Sequence, residues 1–261
     1  MPDSPLIAAT KLGMAFPSGD VALKGVDVGV ERGEFVSIVG PSGCGKSTLL
    51  KLIAGLLKPT SGGLHVGGGA AGAADVAFVF QDPTLLPWRT AFDNVGLPLE
   101  LRRVISAKRQ RLIHDSLSLV GLTQADAAKL PRMLSGGMRM RVSIARALVT
   151  EPDILLLDEP FGALDDLLRQ RLNEELLTIW NDKRWTTLFV THNVSEAVFL
   201  SQRILVLSPA PGRVCGEVVV PFGFPREPVL RASAQFAGVI GEVMEMLAGE
   251  STPAKREAGP S

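Results

Sequence analysis

The chain is short of the residues that mark several protein classes. It contains no tyrosine and only two cysteines, Cys44 and Cys215, which lie far apart in the sequence. Two distant thiols do not make a disulfide scaffold or a metal site, and they favour a reducing cytoplasm. Lys and Arg together number 27, as do Asp and Glu, so the net charge is zero and no overall charge attracts nucleic acid or an anionic membrane.

Long hydrophobic runs are also missing. No stretch of about 18 strongly apolar residues occurs, and residues 1–5 (MPDSP) lack the basic-then-apolar order of a secretory signal. We therefore expect a chain that is neither inserted into nor sent across a membrane. With 261 residues and 46% hydrophobic content, it can bury a sizeable core, as one domain with an inserted lobe.

One stretch carries a specific chemical signal. Residues 40–48 (GPSGCGKST) fit the phosphate-binding loop pattern G-x-x-x-x-G-K-[ST]. Residues 34–39 before it are apolar and β-branched, which predicts a strand, and residues 46–57 after it have the apolar spacing of a helix. Strand, glycine loop and helix form the order that this loop requires. The alternative is a glycine-rich turn that only joins a strand to a helix.

The loop predicts specific roles for its residues. The backbone amides of Gly43, Gly45 and Lys46 would point at a β-phosphate, and the helix N-terminus would add positive potential. The Lys46 ammonium would reach the β- and γ-phosphate oxygens, and the Ser47 hydroxyl would hold Mg²⁺.

The segment from residue 6 to residue 30 has even apolar spacing on both sides of a turn at residues 17–20. It predicts two strands and an antiparallel edge. Phe16 precedes that turn, and its ring could stack on adenine or be a buried strand residue. Residues 60–74 are rich in Gly and Ala and predict a hairpin with a loose loop.

Three further apolar segments, residues 75–80, 154–157 and 187–190, predict buried strands that end in polar side chains. Because the carboxyl ends of parallel strands form the ligand edge of an open α/β sheet, these side chains are candidates for the site. They are Gln81, Asp158 with Glu159, and His192.

Each of these groups has a functional and a structural interpretation. Gln81 could reach Mg²⁺ or an attacking water, or it could be an ordinary loop residue. Asp158 suits a Mg²⁺ ligand and Glu159 a base that activates water, while a structural Asp-Glu pair is the alternative. His192 suits a contact to the γ-phosphate, or it only caps its strand.

Helical patterns fill most of the remaining chain. They cover residues 91–130, a helix that opens with residues 134–138 (LSGGM), residues 165–180 and residues 229–247. The Ser-Gly-Gly start of the second could offer free amides to an anion, or be a loop. Trp88, after a proline, is a partner anchor or a lid over the core. Two more strands are expected at residues 204–207 and 214–220.

These residues resemble one family across nearly the whole chain, the ATP-binding subunits of ABC transporters. Residues 40–48 resemble Walker A, Gln81 the Q-loop glutamine, residues 134–138 the signature motif and residues 154–158 Walker B. Glu159 resembles the catalytic glutamate, residues 162–165 the D-loop and His192 the switch histidine.

The resemblance implies an α/β fold with a P-loop NTPase (RecA-like) core, an antiparallel β edge and an inserted α-helical subdomain. It places the ATPase domain at residues 1–250, with the core at about 1–90 and 150–230, the helical subdomain at about 91–149 and a disordered tail at 251–261. It implies catalysis by Glu159, His192 and Gln81, and Mg²⁺ held by Ser47, Gln81 and Asp158. The implied ATP contacts are Gly40, Pro41, Ser42, Gly43, Cys44, Gly45, Lys46, Ser47, Thr48, Phe16, Ser135, Gly136, Gly137 and Asp165.

The resemblance also implies partners. Two copies would face head to tail, so that Ser135, Gly136 and Gly137 act on the ATP held by the other copy, and Asp165 communicates between the sites. A permease would dock near residues 81–88 on the cytoplasmic face of the cell membrane, served by an extracytoplasmic substrate-binding protein, with no nucleic acid involved.

Residues 86–90 (LPWRT), 93–95 (DNV), 161–165 (FGALD) and 208–213 (SPAPGR) are similar to the subgroup that imports nitrate, aliphatic sulfonates and taurine. Importers of other small molecules of that subgroup, such as a thiamine precursor or an aromatic acid, are the alternative. A soluble ABC ATPase acting on nucleic acid or ribosomes, and a small-molecule P-loop kinase, are the competing classes.

Overall fold

The computed structural model describes residues 5–67 and 74–251, with side chains up to residue 249. Nine strands in these ranges form two separate sheets. The strands are β1 (Ile7–Ala15), β2 (Val21–Val30), β3 (Phe35–Val39), β4 (Ser61–Val66), β5 (Val76–Val79), β6 (Ile154–Asp158), β7 (Thr186–Val190), β8 (Arg203–Leu207) and β9 (Val214–Val219).

Eight α-helices and two short 3-10 helices accompany the strands in the described ranges. The α-helices are α1 (Lys46–Ile53), α2 (Ala91–Leu101), α3 (Ser106–Leu119), α4 (Gln124–Ala127), α5 (Gly136–Leu148), α6 (Asp166–Lys183), α7 (Val194–Leu200) and α8 (Ala234–Ser251). The 3-10 helices are Pro131–Met133 and Pro228–Ala232.

The larger sheet has the strand order β5-β6-β7-β3-β8-β9. Its first five strands run parallel and β9 is antiparallel to β8. Strands β3, β6 and β7 are buried along their whole length, which explains their continuous apolar sequences. The expected α/β fold is confirmed, and the carboxyl ends of the parallel strands lie at one edge of the sheet.

The predicted antiparallel edge is a sheet of its own. Strands β1 and β2 pair around the turn at residues 17–20, as predicted, and β4 pairs with the other side of β1. A single bridge between Leu23 and Gly212 connects β2 to the segment before β9. Of the hairpin with a loose loop predicted at residues 60–74, the structure shows one strand, β4, while residues 68–73 lie outside the described residues.

The core has two layers, one on each face of the larger sheet. Alternate residues of β3 show the division, because Phe35 and Val39 belong to one apolar cluster and Val36 and Ile38 to the other. The first cluster packs the helical elements onto the sheet and contains Trp180, whose ring meets Phe35 edge-on at 5.5 Å. The second packs the small sheet and α1 onto the opposite face.

Several predicted boundaries were wrong. The helix after the glycine loop ends at Ile53 instead of residue 57, because Gly55 takes a φ of 71° that ends the helix. The last helix begins at Ala234, since the residues from Pro228 form a 3-10 turn first. It continues through Ser251, which was predicted as disordered, while residues 252–261 lie outside the described residues. Strand β5 lies at the end of the sheet and is half-buried over its first three residues.

Candidate functional site

A cavity of about 910 Å³ opens at the carboxyl edge of the larger sheet, beside the glycine loop. Its walls come from the glycine loop, the turn between β1 and β2, and the segments that follow β5, β6 and β8. The lining residues are Phe16, Gly19, Asp20, Val21, Ala22, Ser42, Gly43, Gly45, Lys46, Ser47, Thr48, Gln81, Glu159, Ala210 and Pro211. Seven of the predicted ATP contacts and two of the predicted catalytic residues therefore lie side by side at the wall of one cavity.

The glycine loop depends on backbone conformations that only glycine adopts readily. Gly43 has a φ of 76° and Gly45, the N-cap of α1, a φ of 100°. Lys46 is buried, and its ammonium donates to the carbonyl oxygens of Gly40 at 2.8 Å and Pro41 at 2.9 Å. The same ammonium also lies 3.9 Å from Cys44 Sγ, a weak acceptor, so Lys46 closes the loop through three contacts of its own.

The other loop residues contribute differently. Cys44 is fully buried, and burial raises the pKa of its thiol. Because its side chain belongs to the apolar core, any contact from Cys44 to a ligand in the cavity must come from its backbone. Gly40 and Pro41 likewise do not line the cavity and hold the Lys46 ammonium instead.

The Ser47 hydroxyl donates to Asp158 Oδ1 at 2.8 Å, which joins the start of α1 to the end of β6. Asp158 is buried, and burial raises the pKa of its carboxyl, while the bond from Ser47 partly opposes that effect. Two oxygens of the type that Mg²⁺ prefers thus lie together beside the glycine loop. Among the residues that the structure describes, no three His, Cys, Asp or Glu side chains are arranged to hold a metal ion by themselves.

Glu159 and His192 form a pair at the ends of neighbouring strands. His192 Nδ1 lies 2.9 Å from Glu159 Oε2, and the Glu159 backbone NH donates to the Val190 carbonyl at 2.9 Å. Glu159 has a φ of 46°, the left-handed region that costs an ordinary residue about 1–2 kcal/mol. Such strain concentrates at functional sites, where the surrounding structure enforces it.

The cavity includes residues that the sequence did not assign to a site. The peptide between Ala210 and Pro211 lines it. It is held there by two backbone bonds to β2, from Lys24 NH to the Gly212 carbonyl at 3.0 Å and from Gly212 NH to the Ala22 carbonyl at 2.9 Å. In the sequence, residues 208–213 carry only a subgroup resemblance, and nothing local to them signals this long-range pairing.

Phe16 lines the cavity and also packs against the second core cluster. Phe16 is therefore placed where its ring could stack on adenine, and it is also partly buried against the core. Gln81 lies on the wall and is exposed.

The predicted signature segment lies elsewhere. Ser135 caps α5 by accepting from Met138 NH at 3.3 Å, and neither Ser135 nor the two glycines after it lines the cavity described above. Gly137 faces Leu168 of α6 so closely that an added Cβ would lie 2.8 Å from it. Asp165, which caps α6, is also outside the cavity, so the structure places the signature and D-loop segments beside one another, away from the glycine loop.

A second, smaller groove of about 400 Å³ lies between β5, α2 and α5. Its apolar wall includes Phe78 and Phe80, whose rings stack at 4.3 Å, and Leu101, which is 77% exposed. Arg146 of α5 also lines this groove and donates to the carbonyl of Pro83 at 2.8 Å, which holds the segment after Gln81 in place.

The turn at residues 86–90 is built around buried Asn94. Its two amide hydrogens are shared among the carbonyls of Leu86, Arg89 and Thr90, and its oxygen accepts from Leu86 NH. Trp88 at the tip of this turn is 73% exposed. The structure therefore rejects the interpretation of Trp88 as a lid over the core.

A parallel sheet with a phosphate loop at its carboxyl edge, flanked by paired carboxylate and imidazole groups, defines a P-loop NTPase. A family model described as "ABC transporter" matches residues 23–162, which is more than half of the chain. The chain belongs to this family, as the ATP-binding, ATP-hydrolysing subunit of an importer.

Curated relatives refine this assignment. The nitrate import ATP-binding protein NrtD of Synechococcus elongatus is 46% identical over 224 residues, which cover 83% of this chain and 81% of the relative. The bicarbonate transport ATP-binding protein CmpD of Synechocystis sp. is 44% identical over 210 residues, covering 78% and 74%. The expected importer subgroup is thereby confirmed.

Solved structures agree. A dimeric, post-hydrolysis state of the ATP-binding cassette MJ0796 with ADP and Pi has a TM-score of 0.72 and 32% identity, and covers 84% of this chain and all of its own. CbiO1 of Clostridium perfringens, part of an ABC transporter complex, has a TM-score of 0.75 at 25% identity, covering 93% of this chain and all of its own. No helix within the described ranges is both long and apolar enough to cross a bilayer.

Proposed function

We propose that this subunit powers the import of a small anion or organic compound of the nitrate, sulfonate and taurine type. The observation that carries the ATPase part of the proposal is the arrangement of Lys46, Ser47, Gln81 and Glu159 at the wall of one cavity. The alternative cargo is another small molecule handled by the same subgroup, such as a thiamine precursor or an aromatic acid.

Within the site, Ser47 and Asp158 would hold Mg²⁺, with Gln81 reaching it from the cavity wall. Two protein oxygens suffice, because Mg²⁺ in nucleotide sites takes its remaining ligands from phosphates and water. Bound Mg²⁺ neutralises negative charge that develops on the phosphates. Glu159 would accept a proton from the attacking water, and His192 would orient Glu159 through the 2.9 Å contact.

The site would be completed by a second copy of the chain. Ser135, Gly136 and Gly137 lie outside the cavity of their own chain, yet they offer a helix N-terminus suited to a γ-phosphate. In a head-to-tail dimer they would close over the ATP of the partner, and Asp165 would lie between the two sites. A dimeric arrangement is recorded for the solved cassette MJ0796.

The groove between β5, α2 and α5 would receive a short helix of a membrane permease. Its stacked Phe78 and Phe80 rings offer an apolar floor, and Trp88 lies exposed on the segment that leads from β5 to α2. An exposed aromatic side chain on a rigid turn is typical of an interface anchor. The subunit would then be peripheral to the cytoplasmic face of the membrane, and an extracytoplasmic binding protein would deliver the cargo.

Cargo choice is inferred from similarity alone. The relatives are named for nitrate and bicarbonate, two small planar oxyanions. Because an ATPase subunit does not touch the cargo, only the associated binding protein can identify it.

The test is a pull-down from gently solubilised native membranes with ATP, using the tagged Glu159→Gln chain to slow hydrolysis. Glu151→Gln, the same change on an exposed side chain, is the matched control. We expect a multi-span permease and a binding protein with Glu159→Gln, and titrating that binding protein with nitrate, bicarbonate, taurine and alkanesulfonates names the cargo. Recovery of only nucleic acid or ribosomal proteins would contradict the proposal.

A further inference from the structure

Four charged side chains are buried in the part of the chain that the structure describes: Lys46, Asp158, Glu196 and Arg226. The first two belong to the nucleotide site. Arg226 donates to carbonyls near the end of α7, so its buried charge has hydrogen-bond partners with a structural role. Glu196, on α7, is 6% exposed and has no role in the site described so far. A buried carboxylate is costly unless hydrogen bonds compensate it, so its partners are informative.

The first set of partners surrounds the switch histidine. The Thr191 hydroxyl donates to Glu196 Oε2 at 2.5 Å and accepts from Asn193 NH at 2.9 Å. Asn193 Oδ1 in turn accepts from Glu196 NH at 3.2 Å. Thr191 is therefore bonded to the Glu196 carboxylate, and Asn193 to the Thr191 hydroxyl and the Glu196 backbone, so Glu196 fixes the residues on both sides of His192. The imidazole itself is 56% exposed and contacts Glu159.

The second set of partners lies on α6. Asn173 Nδ2 donates to Glu196 Oε1 at 3.2 Å, and Arg169 Nε lies 4.0 Å from the same oxygen. Arg169 also donates to the carbonyl of Leu164 at 2.7 Å, directly before the Asp165 cap. Through Glu196, the segment that begins α6 is thus joined to the segment that carries His192.

Burial raises the pKa of the Glu196 carboxyl, whereas the bonds from Thr191 and Asn173 favour its ionised form. Hydrogen bonds to a charged, buried acceptor are among the strongest in proteins. The cluster is therefore suited to hold two loops in a fixed relation.

We propose that Glu196, acting through Thr191, is a positioning residue that holds His192 against Glu159 and fixes it relative to the start of α6. The inference rests on the proposed role of His192 in hydrolysis. It adds a reason why the segment that carries His192 and the segment that begins α6 would move as one unit within each chain.

The test uses the full chain and steady-state ATP hydrolysis. Thr191→Val removes the hydroxyl at nearly constant shape, and Thr191→Ser, the matched control, keeps it. We expect Thr191→Val to lower kcat by about 10- to 100-fold, the loss that a misplaced catalytic geometry causes, with KM for ATP within about 2-fold. Thr191→Ser should retain at least about half of kcat, because its hydroxyl can make the same bonds.

A second arm separates positioning from general destabilisation. In a His192→Ala background, Thr191→Val should lower the residual single-turnover rate by less than about 2-fold, since the group it positions is gone. An undiminished further loss, or equal losses in Thr191→Val and Thr191→Ser, would overturn the inference. If Thr191→Val does not fold, Glu196→Gln replaces it, and an unchanged kcat in that variant would also overturn the inference.

The outcomes also distinguish this inference from the proposed function. A normal rate in His192→Ala overturns the catalytic role of His192 and this inference with it. A large loss in His192→Ala together with a normal rate in Thr191→Val overturns only the inference.

Discussion

Replacing Gly45 by alanine should destabilise the chain far more than the same change at Gly43, although both glycines belong to the phosphate loop. Both have positive φ, 76° at Gly43 and 100° at Gly45. Backbone strain should therefore destabilise each alanine variant by about 1–2 kcal/mol. Only Gly45 is also crowded. A Cβ there would lie 2.7 Å from the carbonyl oxygen of Ala22 and from a methyl of Leu23, whereas at Gly43 nothing lies within 4 Å.

Overpacking of this kind costs about 1–3 kcal/mol beyond the strain. Gly43→Ala should therefore lose about 1–2 kcal/mol of unfolding free energy and Gly45→Ala about 2–5 kcal/mol, a large part of a typical total of about 5–15 kcal/mol. Equilibrium urea unfolding without nucleotide measures both, with the m-value checking that the unfolded state is unchanged. Equal losses in the two variants, or a Gly45→Ala chain as stable as the wild type, would refute the argument from the Ala22 contact.

Three other predictions concern the rest of the molecule. Burial raises the pKa of Asp158 in the folded state. The protonated carboxyl therefore favours the folded state fully at a pH below the unfolded-state pKa, and this stabilisation is lost as the pH rises through the folded-state pKa. Asp158→Asn should therefore raise the free energy of unfolding at pH 7 without nucleotide by about 0.5–2 kcal/mol, as urea unfolding would show. The difference should shrink towards about pH 4, and a less stable variant would contradict this. Asp126 has its pKa lowered to about 2 by Lys129 and the α4 cap, so Asp126→Asn should cost about 1 kcal/mol at pH 7. The cost should be lost as the pH falls through about 2, as acid-range unfolding curves would show. Trp88→Ala should change unfolding free energy by less than about 0.5 kcal/mol yet reduce recovery of the permease from solubilised membranes, and undiminished recovery would remove Trp88 from the interface.

Local patterns predicted the elements that carry the phosphate loop. Strand β3 and the start of α1 follow from their apolar spacing and from the glycines between them, because loop geometry of this kind is set within a few residues. The end of α1 was placed too late because the apolar pattern continues to Leu57, while the positive φ of Gly55 stops the helix first.

Residues that depend on long-range packing were not predictable. Ala210 and Pro211 reach the cavity only because Gly212 pairs with β2, nearly two hundred positions earlier. Glu196 has the sequence position of an exposed residue in a helix's first turn, and it is buried because α6 packs across it. Neither the position of Ala210 and Pro211 at the cavity nor the burial of Glu196 can be predicted from neighbouring residues in the sequence.

The measurement that tests the account most directly is the mass of the Glu159→Gln chain in solution, by light scattering, with saturating ATP and Mg²⁺. The account predicts twice the mass of one chain, because ATP held by one glycine loop would be closed over by the signature segment of a second copy. Adding Ser135→Arg, which places a bulky side chain at that closing surface, should return the mass to that of one chain. A single-chain mass under saturating ATP, or a dimer that Ser135→Arg leaves intact, would contradict the claim that the site is completed by its partner.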